Sequence, residues 1–238
     1  KYLFDTTKTK YIISGSSSLE STFQTGKYMV GRMLTFTLWP FSFREFLSYK
    51  DRPLFELLES EIPDPFNWDL KKPFGSAINK RLDAYFQEYM LFGAYPAVIL
   101  AETVDEKLKI LESILTNYLL KDIRSLLQLA SDDQLVSLSR LLANQIGNLI
   151  NYQELASSIG IYHKELKKHL DILEKTYIIK SLKPYFKNRR TEIVKNPKTY
   201  FVDLGFRNFL ISDFRNYEKR QDHGNMVENS LLMAIERH

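Results

Sequence analysis

Tyr162, His163, Lys164, Lys167 and Lys168 crowd into seven residues, and Lys187, Arg189 and Arg190 follow in a polar stretch twenty residues on. Ammonium and guanidinium groups gathered this way can neutralise phosphates, and side chains early on a helix can meet a major groove. The charge is local. Residues 151–200 hold eleven Lys/Arg against five Asp/Glu, a net of +6, while the chain as a whole is +4 and the remainder therefore −2. The competing reading is a solvated basic face, or one that packs on an acidic partner. A second candidate is the turn Ser14-Gly15-Ser16-Ser17-Ser18, which follows the apolar run Tyr11-Ile12-Ile13. Parallel α/β sheets place their ligand crevice at such strand ends. No G-x-x-x-x-G-K-[ST] loop accompanies it.

Other chemistries are excluded or unsupported. With no cysteine there are no disulfides, thiolate zinc sites or cysteine nucleophiles, which fits a reducing cytoplasm. His163 and His169 stand six apart on one predicted helix, and no acid–histidine set has metal spacing, so no metal site is expected. No apolar run approaches the roughly 20 residues of a membrane span.

The elements that must position these residues read as mainly α with small β parts. A strand over 11–13 leads to a second with period two at Leu34, Phe36 and Leu38. Ser42 and Glu45 then form a capping box that opens a helix. Residues 51–75 carry four prolines and read as irregular helical structure. A helical face at Ile78, Leu82, Tyr85, Phe86 and Tyr89 stops at Gly93-Ala94-Tyr95-Pro96. A long helix is expected over 105–129, another over 132–149, then short helices over 152–158 and 162–175 with Gly160 turning the chain. Strands at 177–179 and 199–202 flank the basic loop. Helix, helix, turn, helix, two-stranded ribbon is the order of a winged helix-turn-helix. Asp203-Leu204-Gly205 reads as a turn, with a helix starting near Met226. The aromatic set Phe36, Trp39, Phe41, Phe43 and Phe46 reads as core.

Five segments, YIISGSSSL, GRMLTFTLWPFSFREF, YMLFGAYPAVI, YLLKDI and YFVDLGFRNFLI…HGNMVENSLL, occur in an order that resembles a family of prokaryotic AAA+-type (P-loop) ATPases. In that family a nucleotide-binding core is followed by a helical lid, a winged helix and a C-terminal nuclease-like domain of unknown function. The resemblance implies four parts: 1–40 as the last two strands of the ATPase core, 41–130 as lid and linker, 131–202 as the winged helix-turn-helix, and 203–238 as the opening of a truncated C-terminal domain. The chain starts at Lys1 without the phosphate-binding loop or the acidic metal-binding strand, and is read as a piece of a longer protein.

The resemblance also assigns roles. Ser16, with Ser14 as runner-up, would be the sensor that orients the attacking water, although the same hydroxyls serve equally as a helix cap. Arg32 would reach a neighbouring subunit's phosphate as an arginine finger, or would simply be a surface arginine in a turn. Gly93-Ala94-Tyr95-Pro96 and Lys121-Asp122 match lid motifs with structural duty as the simpler reading. Glu228 matches a glutamate of the nuclease-like domain, where without its partners it holds no metal. The intact protein would bind ATP and Mg²⁺ and act as a nucleotide-driven switch, with double-stranded DNA and self-association through the core as the implied partners and no membrane. The alternative is a DNA-binding or protein-interaction module without ATPase activity of its own. Lacking the phosphate cradle and the metal ligands, the chain by itself is expected neither to bind ATP tightly nor to hydrolyse it. Turnover by the purified chain, free of contaminating ATPases, would overturn that expectation.

Overall fold

Local capping decides where most helices begin. The structure, a computed structural model, describes residues 6, 10, 12, 34, 36–62, 74–117, 133–185 and 195–237. The capping box opens α1 (Phe43–Lys50), with the Ser42 backbone N–H donating to the Glu45 carboxylate at 2.7 Å. Asp51 caps α2 (Arg52–Glu61), which carries Pro53 in its first turn, where a missing N–H is no loss. Then come α3 (Ser76–Phe92), α4 (Pro96–Leu100) and α5 (Val104–Ser113), the last opened by a Thr103–Glu106 capping box. Beyond 133 lie α6 (Asp133–Asn144), α7 (Tyr152–Ile159) and α8 (His163–Lys175). Gly160, at φ +73°, supplies the left-handed residue that ends α7. Strands β1 (Ile179–Leu182) and β2 (Lys198–Phe201) pair antiparallel with Ile179 opposite Phe201, and α9 (Leu204–Leu210) and α10 (His223–Glu236) follow. The architecture is thus mainly helical with one small two-stranded sheet among the described residues.

Two apolar clusters form. One joins α6, α7, α8, the ribbon and α9 through Leu138, Leu155, Leu166, Leu173, Phe201 and Phe206. The other gathers Phe46, Tyr89, Met90, Ile146, Leu204 and Met226, with Phe43 edge-on to Phe86 and Tyr89.

Polar groups on α9 and α10 tie these clusters together. The Asp203 carboxylate caps α9 by accepting from the Phe206 N–H at 2.9 Å, and its other oxygen accepts from the Ala94 N–H at 2.7 Å. Burial pushes this carboxyl up from its ordinary pKa, against the pull of those two N–H groups and of the Arg237 charge. Asn208 donates to the carbonyls of Met90 and Leu91, and Arg207 to the carbonyl of Ala143, so α9 satisfies the orphan C=O groups at the ends of α3 and α6. Asn229 accepts from the Phe201 N–H and donates to the Phe201 carbonyl, standing in for a neighbouring strand. Arg207 and Arg220, both buried, share Asp222. Burial would raise the Asp222 carboxyl, but the two guanidinium groups outweigh it and hold it well below the carboxylate range. Hydrogen bonds from Arg215, with the Arg220 charge, lower Asp213 to about 2.

Several sequence expectations shift. Asp203-Leu204-Gly205 is the start of a helix rather than a free turn, because Asp203 caps it. The helix expected over 132–149 ends at Asn144, where Arg207 takes a carbonyl of its last turn. Residues 52–61 are regular helix despite the prolines nearby. The helix expected from 105 passes at Ser113 into a wider π turn over 114–117, and 118–132 lie outside the described residues. β1 begins two residues late because Tyr177 takes a left-handed φ of 57°, which a strand cannot include. Leu34, Phe36 and Leu38 lie in no strand and are 84%, 83% and 97% exposed, so Phe36 is not core. A strand forms only where neighbours take its hydrogen bonds, and none of the described residues pairs there.

Gly205 marks the tightest approach: a Cβ there would lie 1.8 Å from the Phe92 carbonyl oxygen. Gly205→Ala should therefore lower stability by about 3 kcal/mol, the upper end for overpacking, since a backbone atom cannot step aside. Urea denaturation of the variant beside wild type measures this.

Candidate nucleic-acid interface

The face of α8 follows from its period. Leu166, His169, Leu170 and Leu173 are buried, and Tyr162, His163, Lys164, Lys167, Lys168 and Asp171 are exposed. Leu166 is fully buried, whereas Tyr162 is 82% exposed. Glu165 anchors the start of the helix, its carboxylate accepting from the Tyr162 backbone N–H at 3.2 Å. The three lysines thus stand in the first two turns, nearest the positive end of the helix dipole.

Tyr152, at the start of α7, organises this face. Its ring meets that of His163 edge-on at 5.6 Å between centroids, and Lys167 Nζ lies 5.6 Å from its centroid. Lys167 is therefore held outward by an aromatic surface and has no carboxylate partner among the described residues. Sequence reasoning had no signal for Tyr152 beyond an aromatic side chain at a helix start.

The eleven cations of residues 151–200 divide by position. Lys175, Lys180 and Lys198 are paired with Asp171, Glu236 and Glu228 at 2.7 to 2.8 Å. Lys164, Lys167 and Lys168 on α8, with Lys183 and Lys195 beyond the open end of the ribbon, make no ion pair among the described residues. Lys187, Arg189 and Arg190 lie outside the described residues, as do Ser14, Ser16, Arg32, Lys121 and Asp122. Tyr185, 85% exposed, stands beside Lys183 at the ribbon tip. Lys183, Tyr185 and Lys195 thus extend the described basic surface beyond the residues singled out from sequence. The arrangement leaves positive charge uncompensated on α8 and at the ribbon tip, and cancels it where the ribbon meets α10.

The histidines do not converge. His163 is exposed, while His169 is buried with Nδ1 2.7 Å from the Glu165 carbonyl. Glu228 accepts from Lys198 and from the Tyr200 hydroxyl at 2.6 Å; these bonds lower its pKa, while burial and that same carboxylate push the phenol up. Among the described residues no group of three or more acids and histidines could hold a metal ion. No helix searched among them is long and apolar enough to cross a membrane. The Ala94 N–H donates to Asp203 and Gly93 lies against the same carboxylate, so the GAYP turn serves to join α3 to α9.

A family model described as a domain of unknown function (DUF8612) matches residues 83–225, from within α3 to the first turn of α10. The chain belongs to this family. The match takes in the GAYP turn, α6 to α8, the ribbon and α9. A second model, described as an AAA domain, matches residues 1–47. Among curated proteins the chain is similar to an uncharacterized protein of Haemophilus influenzae, at 24% identity over 95% of this chain and 51% of that protein. It is similar also to two uncharacterized proteins of Methanocaldococcus jannaschii. MJ1544 is 23% identical over 94% of this chain and 46% of its own length, and MJ1637 28% identical over 78% and 39%. The chain spans about half the length, or less, of these relatives. No solved structure matches it.

Because the lysines project into solvent, their removal should leave the fold intact. Alanine at Lys164, Lys167 and Lys168 should each change stability by no more than about 0.5 kcal/mol. Leu166→Ala, one helix face away, should cost about 2–5 kcal/mol. Thermal or urea unfolding of the four variants makes the comparison.

Proposed function

We propose that this chain is the DNA-engaging part of an AAA-type protein, with residues 133–202 acting as a winged helix-turn-helix on double-stranded DNA. In this reading α8 enters the major groove, Tyr162, His163, Lys164, Lys167 and Lys168 meet base edges and nearby phosphates, and the ribbon tip with Lys187, Arg189 and Arg190 reaches the flanking backbone. The observation that carries it is the sorting of charge. Lys180 and Lys198, where the ribbon meets α10, have carboxylate partners, and Lys164, Lys167 and Lys168 on the outer face of α8 have none among the described residues. A purely solvated face needs no such division.

The AAA match over residues 1–47 supports a nucleotide-driven role for the longer protein, with Ser14, Ser16 and Arg32 as sensor and arginine-finger positions. ATP and Mg²⁺ fit no set of described residues, which offer neither a phosphate-binding loop nor an acidic cluster.

Fluorescence anisotropy with a labelled 20-base-pair duplex tests the DNA reading. With about five phosphate contacts, affinity should fall roughly 500-fold between 50 and 200 mM salt, from a log–log slope of about −4.5. Reversing two charges in K167E/K168E should abolish binding at 50 mM salt without altering the unfolding transition. No binding by the wild-type chain at 50 mM salt would overturn the proposal.

A further inference from the structure

Residues 39–41 are held at both ends by parts of the molecule far apart in sequence. The Trp39 ring stands edge-on to Tyr177, with centroids 5.3 Å apart and planes at 82°. Tyr177 lies between the last turn of α8 and the first residue of β1, and is one of two non-glycine residues with positive φ among those described. Two positions on, the Phe41 N–H donates to the Ala94 carbonyl at 3.0 Å. The Phe41 carbonyl accepts from Arg237 at 3.0 Å and from the Tyr89 hydroxyl at 3.3 Å. Arg237 also reaches the Val202 carbonyl, just past β2, at 3.3 Å. Pro40, between Trp39 and Phe41, fixes its own φ and keeps Trp39 out of the helical region, which narrows the ways the two anchor points can move relative to each other.

The same three residues fall inside the stretch that matches the AAA domain, 1–47. We infer that Trp39-Pro40-Phe41 is a mechanical strap coupling the AAA-like segment to the basic helix: Trp39 bears on the α8–β1 junction, and Phe41 fixes the strap to the α3–α4 turn and the end of α10. Trp39 is then a positioning residue for α8. It touches no DNA itself, and its effect runs through Tyr177. Left-handed backbone at a tyrosine is an uncommon state that its surroundings must hold, and the Trp39 ring is part of those surroundings. A shift of the strap therefore changes what holds the joint between recognition helix and ribbon, and a shift of that joint on DNA is felt at Trp39.

The coupling rests on the DNA reading for its ligand but can be tested apart from it. In a W68F background Trp39 is the sole tryptophan. On titration with the 20-base-pair duplex, Trp39 emission should change with the same midpoint as the anisotropy of the labelled DNA. Y177G, which removes the ring and suits the positive φ, should keep DNA binding within a few-fold while losing the emission change. Binding by anisotropy with constant Trp39 emission would overturn the strap and leave DNA binding standing. Without DNA, hydrogen exchange decides the same point. W39A should speed amide exchange over residues 175–180, whereas K167E/K168E should not. Unchanged exchange at that junction in W39A would overturn the strap whether or not the chain binds DNA.

Discussion

The fold depends on one close approach, the seating of the first turn of α9 against the end of α3. Gly205 has no Cβ because the Phe92 carbonyl occupies its place, and Gly93 has none because the Asp203 carboxylate does: a Cβ on Gly93 would lie 2.0 Å from Asp203 Oδ1. Asp203 then spends one oxygen capping its own helix and the other on the Ala94 N–H. Once these two turns interlock, Asn208 and Arg207 fall within reach of the ends of α3 and α6, and the two apolar clusters become parts of one body. Residues 203–237 are therefore packed into what precedes them. They supply the polar groups that close helix ends contributed by residues 90, 91 and 143, and they pair the edge of β2.

This has a consequence for the basic surface. Glu228 and Glu236 on α10 neutralise Lys198 and Lys180, so the α10 side of the ribbon is electrically quiet while its far end is not. Charge in this chain is shaped as much by the acids that α10 brings to the ribbon as by the lysines of α8. A ligand that responds to phosphate-like charge would meet the outer face of α8 first, and the field there falls off within about 8 Å at physiological salt.

Much of the local structure was legible in the sequence. The capping box at Ser42–Glu45, the Gly160 stop and the 3.6-residue period of 163–175 each act over a few residues, so their physics is local and their residue types are diagnostic. What escaped depended on distant partners. Asp203 read as a turn residue because aspartate suits turns as well as caps, and only the Ala94 N–H more than a hundred residues away fixes its second bond. Leu34, Phe36 and Leu38 alternate as a strand should, yet alternation gives a strand its faces, not its neighbours, and no neighbour pairs with them among the described residues. For the candidate interface, the lysines were visible as a cluster, but the cancelling of Lys180 and Lys198 was not, because their carboxylates are Glu236 and Glu228 of α10. Tyr152 was missed for the same reason, since its role is set by where α7 lies against α8.

Buried charge here chooses an arrangement more than it adds stability. Replacing a buried ion pair by well-packed apolar side chains is often neutral or stabilising, so Arg207, Arg220 and Asp222 are a poor means of holding helices together. Leucines at those places would hold α9 against several helix ends equally well, because dispersion contacts carry little direction. A guanidinium that must find the Ala143 carbonyl and Asp222 together, and an amide that must find both Met90 and Leu91, accept one docking and penalise the others by leaving buried polar groups unpaired. Such a device suits a body whose helices are short and whose turns must meet within a fraction of an ångström. The buried polar groups of α9 and α10 are thus spent on backbone groups and on one another, while Lys164, Lys167 and Lys168 of α8 face outward without an ion pair among the described residues.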